Sequence, residues 1–249
     1  MFCYNAPSNL LSEKTILITG ASDGIGKVCA STFADHGATV ILLGRSQEKL
    51  KAVYDNIERR HPGKAFLHPM NFSTAKIHDY KILAVSVAQR VGTLDGIIHN
   101  AALLGPRTPI EFYPTEDWHQ IMQVNVNAVF YLTKELLPTL SKSDDARVLF
   151  VSSSVGRVGR AYWGAYAVSK FAIEGLSQML AEELDDDRHN VRVNSLNPGA
   201  TRTNMRATAY PAENPDQNPA PEELMPVYLY LMGKDSHDVN GQQIDAQPK

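Results

Sequence analysis

The stretch KTILITGASDGIG, residues 14–26, joins a short apolar run to a turn that contains three glycines. The run is rich in β-branched residues without polar alternation, which predicts a strand buried on both faces. Gly20, Gly24 and Gly26 follow it and precede a helical pattern that ends near Gly37. Glycines there let the backbone turn tightly and approach a pyrophosphate, whose charge a helix N-terminus favours. The stretch therefore predicts either a dinucleotide-binding turn or an ordinary tight turn.

Strand-like and helix-like segments alternate along the rest of the chain. The further predicted strands are residues 40–43, 65–68, 94–99, 147–151, 191–196 and 242–245. Apolar strands that alternate with helices indicate a parallel sheet covered on both faces. We therefore predict an α/β fold, a three-layer Rossmann fold with a doubly wound parallel sheet of about seven strands. We expect one domain over residues 1–249, with an N-terminal arm (1–12) and a lid loop rich in Pro, Asn and Ala (201–221).

Composition limits the classes of function. The 249 residues are 43% apolar and carry a formal net charge of -3, which gives no general attraction for nucleic acid or anionic membranes. The sequence contains neither an apolar run of about 18 residues nor a basic-then-apolar signal segment. Cys3 and Cys29 have no spacing typical of a metal site or a disulfide framework. We expect a cytoplasmic protein without a metal site and without nucleic-acid or membrane partners.

A second stretch, SSSVGRVGRAYWGAYAVSK over residues 152–170, contains residue types suited to acid–base chemistry. Tyr166 and Lys170 are four residues apart, so on a helix they lie on the same face. A lysine cation beside a phenol favours the phenolate, and we expect it to lower the pKa of Tyr166 towards a range useful for proton transfer. The same spacing is common on ordinary helix surfaces, so the pair alone leaves both interpretations open.

Five motifs in the order of this chain resemble those of the short-chain dehydrogenase/reductase family. They are TGASDGIG (19–26), Asn100-Ala101, Ser153 thirteen residues before Tyr166, the Tyr166/Lys170 pair, and Asn197-Pro198-Gly199. Shorter stretches such as VILLGR (40–45) and QVNVNA (123–128) are most similar to the YciK group of bacterial oxidoreductases. The resemblance implies NAD(P)-dependent interconversion of a carbonyl and a secondary alcohol on a small-molecule substrate. The alternative function is a dinucleotide-binding sensor or scaffold with little turnover.

The resemblance implies a catalytic tetrad of Asn125, Ser153, Tyr166 and Lys170. Tyr166 is expected to act as the general acid/base, and Lys170 to lower its pKa and bind the nicotinamide ribose. Ser153 is expected to hold the carbonyl oxygen, and Asn125 to hold a water that relays protons to Lys170. The rival positions are Ser152 and Ser154 for the serine and Asn127 for the asparagine.

The resemblance also implies a cofactor site along the strand ends. Its expected residues are Gly20, Ser22, Asp23, Gly24, Ile25, Gly26, Arg45, Asn71, Asn100, Ala101, Tyr166, Lys170, Pro198, Gly199, Thr201 and Thr203. Gly44 stands where NAD-preferring relatives have an acid, and Arg45 follows it, which favours NADP while leaving NAD possible. Asp23 argues in the other direction, since its carboxylate could repel a phosphate or could simply cap the following helix.

Two further expectations concern the surroundings of this site. In the family, the helices that carry Asn125 and Tyr166 form the dimer interface, so we expect a homodimer or homotetramer. Arg202 lies in the lid region, where it could pair with a cofactor phosphate or an acidic substrate, or remain a solvated charge. Trp163 is close enough to Tyr166 in sequence to form a wall of the pocket.

Overall fold

The protein is described by a computed structural model over residues 2–186 and 189–247. Its strands are β1 (Thr15–Thr19), β2 (Thr39–Gly44), β3 (Ala65–Pro69), β4 (Gly96–His99), β5 (Ala146–Val151), β6 (Val191–Asn197) and β7 (Gln243–Asp245). They form one seven-stranded sheet in the order β3-β2-β1-β4-β5-β6-β7, in which all pairs are parallel. The strand order reverses between β1 and β4, which makes this a doubly wound sheet and confirms the predicted fold class.

Helices cover both faces of the sheet. They are α1 (Gly24–Asp35), α2 (Gln47–Arg60), α3 (Ile77–Val91), α4 (Thr115–Met122), α5 (Ala128–Leu140), α6 (Gly164–Glu183), α7 (Asn204–Ala209) and α8 (Met225–Met232). Alternate residues of β1 enter different cores, because successive strand side chains point to opposite faces. Ile16 and Ile18 pack in the core that contains residues of α1, α2 and α8. Leu17 packs in the core that contains residues of α3, α5 and α6.

A π-helical turn over residues 123–127 joins α4 to α5. The amide of Ala128 donates to the carbonyl of Gln123, five residues earlier. This turn holds one more residue than an α-helical turn, and π turns of this kind occur frequently at functional sites. No local sequence pattern indicates this wider turn, which contains Asn125.

The two peripheral segments are more structured than predicted. In the predicted arm, the amide of Phe2 donates to the carbonyl of Ala246 at 3.1 Å, and Leu11 is fully buried. The predicted lid loop contains α7, which begins where the Thr203 hydroxyl accepts from the amide of Arg206 at 3.2 Å. Threonine is a common residue at helix starts for this reason. In the described ranges, no helix is both long and apolar enough to cross a membrane.

Candidate active site

A cleft of about 370 Å³ lies at the carboxyl ends of the strands, where β1 and β4 meet. This is the place where doubly wound sheets bind their ligands. Of the predicted cofactor-binding residues, all but Gly26, Gly199 and Thr201 line the cleft. From the predicted tetrad, Tyr166 and Lys170 line it directly, whereas partly exposed Ser153 and buried Asn125 are not among the lining residues.

The glycine turn after β1 packs directly against the segment that follows β4. Gly20 has a φ of +67°, and a Cβ added there would lie 2.9 Å from Nδ2 of Asn100. A Cβ added at Gly26 would collide with the Gly20 carbonyl, so Gly26 allows α1 to start close to the strand. The Thr19 hydroxyl accepts from the amides of Asn100 and Ala101 at 2.9 and 3.0 Å. These contacts leave backbone without a Cβ along the cleft at Gly20 and Gly24.

Asp23 caps helix α1 and also contacts the lid. Its Oδ1 accepts from the amide of Gly24 at 2.8 Å, and its Oδ2 accepts from Nδ2 of Asn204 at 2.8 Å. The bond from Asn204, with that from Gly24, holds the pKa of Asp23 below its ordinary value. The helix-cap alternative is therefore the observed geometry. Asn204, which no sequence motif indicated, is the first residue of α7 and connects the lid to this cap.

Arg45 and Asn71 lie on the side of the cleft formed by the ends of β2 and β3. Arg45 is exposed, and the described residues give its guanidinium no ion-pair partner. Asn71 accepts from the amide of Ser73 at 3.1 Å through its Oδ1, which fixes the side chain at the cleft wall. Arg45 is therefore a cation on this side of the cleft whose charge is not balanced by a carboxylate among the described residues.

Tyr166 and Lys170 are both buried on the inner face of α6. Nζ of Lys170 donates to the carbonyl of Val151 at 2.6 Å and lies 5.6 Å from the centroid of the Tyr166 ring. Burial lowers the pKa of Lys170 to about 8, while the charge of Glu174 opposes this change. Burial raises the pKa of Tyr166 to about 12, and a hydrogen bond with Ser153 opposes this rise. The net direction is opposite to the one expected from the Lys170 charge, because desolvation by burial is the largest influence on the pKa of Tyr166.

Ser153 is the serine that the structure brings to Tyr166. It lies where β5 ends, and its side chain forms a hydrogen bond with the Tyr166 phenol. Ser152 is buried and lines the cleft, and its hydroxyl has no hydrogen-bond partner among the described residues. Ser154 is exposed. The thirteen-residue spacing thus brings Ser153 and Tyr166 together.

Asn125 uses its side chain to hold two neighbouring segments together. Its Oδ1 accepts from the amide of Leu103 at 2.8 Å, and its Nδ2 donates to the Leu103 carbonyl at 2.9 Å and to Oγ of Ser169 at 3.0 Å. Both amide hydrogens are occupied, so this geometry does not favour a side-chain donor to a relay water. The rival Asn127 points away and donates to Oε1 of Gln123 at 3.1 Å on the surface.

A partly buried ionic network lies one helical turn beyond Lys170 on α6. Glu174, one turn further, accepts from Nε of Arg157 at 3.0 Å and from the Ser195 hydroxyl at 2.6 Å. Arg157 also donates to Oδ1 of Asp245 at 2.8 Å. The network therefore joins α6 to the turn after β5 and to strands β6 and β7. None of these residues was predicted, and the sequence signal was weak: Glu174 continues the four-residue spacing of Tyr166 and Lys170.

The lid side of Tyr166 is apolar and aromatic. Trp163 is buried, and its ring centroid lies 5.7 Å from that of Tyr166. It does not line the cleft itself, so its role as a wall of the pocket stays a prediction. The same cluster includes Val155, Ala209 and Tyr210. Arg202 pairs with exposed Asp216 at 2.8 Å on the outer surface, so its geometry is that of a solvated charge. Over residues 2–186 and 189–247, no group of His, Cys, Asp or Glu is arranged to hold a metal ion.

Comparisons with known proteins agree on one family. Residues 14–214 match the family model described as short chain dehydrogenase. The oxidoreductase YciK of Escherichia coli (strain K12) is 48% identical over 245 residues, which cover 98% of this chain and 96% of that protein. A short chain dehydrogenase structure from Pseudomonas syringae has a TM-score of 0.97 and 55% identity, covering 99% of this chain and 100% of that one. One from Escherichia coli CFT073, complexed with NADPH, has a TM-score of 0.94 and 49% identity, covering 97% and 100%.

Proposed function

This chain belongs to the short chain dehydrogenase family of oxidoreductases, and we propose that it interconverts a carbonyl group and a secondary alcohol on a small molecule. The observation that carries the proposal is that Tyr166 and Lys170 line one cleft side by side, with Nζ 5.6 Å from the centroid of the Tyr166 ring and Ser153 hydrogen-bonded to the phenol. A bound nicotinamide dinucleotide would supply or accept the hydride. The protein would act in the cytoplasm, as expected from its composition.

The three side chains have separate roles in this proposal. With a pKa of about 12, Tyr166 holds its proton at neutral pH and can give it to a carbonyl oxygen during reduction. Ser153 is placed to donate to the same oxygen, on which negative charge develops. With a pKa of about 8, Lys170 is mostly charged at neutral pH and stabilises the phenolate that remains. One of its three N–H groups is used by Val151, which leaves two for a cofactor hydroxyl.

The cleft residues fit a dinucleotide. The Gly20 turn presents backbone without a Cβ at the start of α1, as a pyrophosphate requires. Arg45 is the uncompensated cation beside the end of β2, where a 2′-phosphate would bind. The NADPH bound in the similar Escherichia coli CFT073 structure supports NADP as the cofactor. Asp23 is engaged by Gly24 and Asn204, which reduces its availability to repel a phosphate.

The reaction is tested by the Tyr166→Phe variant. Loss of the acidic proton should lower kcat by at least about 100-fold, since a positioned general acid contributes about 10²–10⁴. NADPH affinity, measured by fluorescence titration, should change by less than about threefold because the ring remains. Tyr162→Phe, the same change at an exposed position on the same segment, is the matched control and should keep full activity. Full reductase activity of Tyr166→Phe would disprove the mechanism, and a wild-type protein that binds NADPH but reduces none of a carbonyl panel would favour the sensor alternative.

The cofactor preference is tested by the Arg45→Ala variant. Its dissociation constant for NADPH should rise about 10-fold or more, because a charge-assisted hydrogen bond contributes about 1.5–3 kcal/mol. Its dissociation constant for NADH should stay within about twofold, since NADH lacks the 2′-phosphate. Arg59→Ala, which removes an exposed arginine of α2, is the control. An equal loss of affinity for both cofactors would refute the role of Arg45.

We also propose that the chain forms a homodimer or homotetramer through the outer face of α5 and α6. Phe130, Val168, Phe171 and Met179 are each between 43% and 49% exposed there. Gly175 on the same helix has open space around it, which would allow a second helix to approach closely. Sedimentation should show a dimer or tetramer for the wild type and a smaller species for Phe171→Glu. A monomeric wild type would contradict this proposal.

A further inference from the structure

Three arginines lie around the lid side of the active site. Arg206 forms a two-bond pair with Glu213, at 2.6 and 2.5 Å, and Arg202 forms its pair with Asp216. Arg107, from the segment after β4, has no carboxylate partner within the described ranges. Arg107 is therefore the cation in this set whose charge the protein itself does not balance.

The guanidinium of Arg107 is held in a fixed position. Its Nη1 donates to the carbonyl of Ala209, the last residue of α7, at 2.5 Å. Its Cζ lies 4.8 Å from the ring centroid of Trp163 and 4.7 Å from that of Tyr210. Two aromatic faces and one carbonyl restrain the group, while most of its five N–H donors stay available. An arginine restrained in this way is ready to bind a carboxylate with little further ordering.

The position of Arg107 relative to Tyr166 indicates what such an anion would be attached to. Trp163 contacts both the Arg107 guanidinium and the Tyr166 ring, so one indole separates the cation from the phenol. The partly exposed side chains packed against the cluster that contains this indole include apolar Ala102, Leu104 and Met205, and Ala102 and Met205 also line the cleft. A ligand that spans from Tyr166 to Arg107 would therefore meet a hydrogen-bonding end, an apolar middle and a cationic end.

Building on the carbonyl chemistry proposed above, we propose that the substrates are carbonyl compounds that also carry a carboxylate, separated from the carbonyl by an apolar spacer. Arg107 is the specificity-determining residue, because it binds the carboxylate while the carbonyl oxygen faces Tyr166 and Ser153. Arg202 and Arg206 do not take this role, since their own carboxylate partners already occupy them. The net charge of -3 makes a general attraction for anions an insufficient explanation, so the preference must come from this local site.

The test compares two aldehydes that differ in charge, 4-formylbenzoate and its methyl ester. With NADPH, the wild type should reduce the acid with a kcat/KM at least about 10-fold above that for the ester, as a charge-assisted hydrogen bond predicts. Arg107→Gln should abolish this ratio through a higher KM for the acid. Glutamine is neutral and ends two bonds short of Nη1, so this variant removes the charge together with the bond to Ala209. Arg107→Lys should restore part of the ratio, and Arg202→Ala should leave it unchanged.

Several outcomes would overturn the assignment. Equal kcat/KM values for acid and ester in the wild type would do so, as would an unchanged ratio in Arg107→Gln. If Arg107→Gln lowers kcat/KM equally for both aldehydes, Arg107 only supports the lid. If the wild type reduces neither aldehyde, calorimetric titration of 4-formylbenzoate into the protein with NADP⁺ tests whether the carboxylate site exists. If the wild type binds 4-formylbenzoate and Arg107→Gln does not, the carboxylate site is upheld and the proposed reaction is not. If the wild type does not bind 4-formylbenzoate, the site is refuted.

Discussion

The two sides of Tyr166 hold their charged groups in opposite ways. Behind it, on α6, Glu174 is 4% exposed and is bound by Arg157 and Ser195. In front of it, on the lid, Asp216 pairs with Arg202 through a side chain that is 79% exposed. Buried ion pairs are costly to break, whereas exposed pairs contribute little to stability. The Glu174 network on α6 should therefore contribute more to the stability of the fold than the exposed Arg202–Asp216 pair on the lid.

The two sides of Tyr166 should differ most in how far the free energy of unfolding falls when one carboxylate is removed from each side. Glu174→Ala leaves Arg157 partly buried without one of its partners and removes the negative charge nearest to buried Lys170. We expect the free energy of unfolding to fall by about 3 kcal/mol or more, as for other broken buried pairs. Urea unfolding followed by circular dichroism measures this change. Glu174→Gln keeps an acceptor for Ser195 and should lose less.

The matched control for this experiment is Asp216→Ala. It removes the carboxylate of an exposed pair with Arg202, and the free energy of unfolding should change by less than about 1 kcal/mol. A loss in Asp216→Ala as large as that in Glu174→Ala would remove the distinction between the two sides. Both experiments use the cofactor-free protein, because a bound dinucleotide would itself stabilise the folded state.

The sequence predicted the sheet and most of the cleft because both depend on local patterns. Apolar runs mark the strands, and the glycine turn and the Tyr166/Lys170 spacing are read over a few residues each. The network around Glu174 depends instead on distant partners, since Arg157 and Asp245 are 88 residues apart in sequence. Spacing predicts which side chains share a helix face, but a partner on another strand is determined only by the folded sheet.

Two predictions about the tetrad differ from the structure, and the spacing of residues in the sequence does not reveal the physical reason for either difference. The pKa of Tyr166 is raised because desolvation by burial outweighs the opposing hydrogen bond with Ser153, and the depth of burial depends on the lid and its apolar cluster. Asn125 lies in a π turn, and its amide is already bonded to Leu103 and Ser169. Its side chain therefore positions α6 against the segment after β4.

The charge on Lys170 gives the α6 side a dependence on pH that the lid pairs do not share. Its pKa is about 8 in the folded protein, below its ordinary value of 10.5, so between these values the unfolded chain binds more protons. The contribution of Lys170 to stability therefore rises as pH increases from 8 to 10, by about 1–3 kcal/mol. Tyr166, with a pKa of about 12 against an ordinary 10.0, acts oppositely above pH 10.

This pH dependence can be measured by urea unfolding of the cofactor-free protein at pH 7.5 and pH 9.5. Between these two values the wild type should gain free energy of unfolding relative to Lys170→Met, which lacks the titrating group but keeps a side chain of similar length. Arg202→Ala, which changes a charge only on the lid, should follow the wild-type curve. Parallel curves for the wild type and Lys170→Met would show that Lys170 is not desolvated enough to shift its pKa. The buried side would then be no more sensitive to pH than the exposed one.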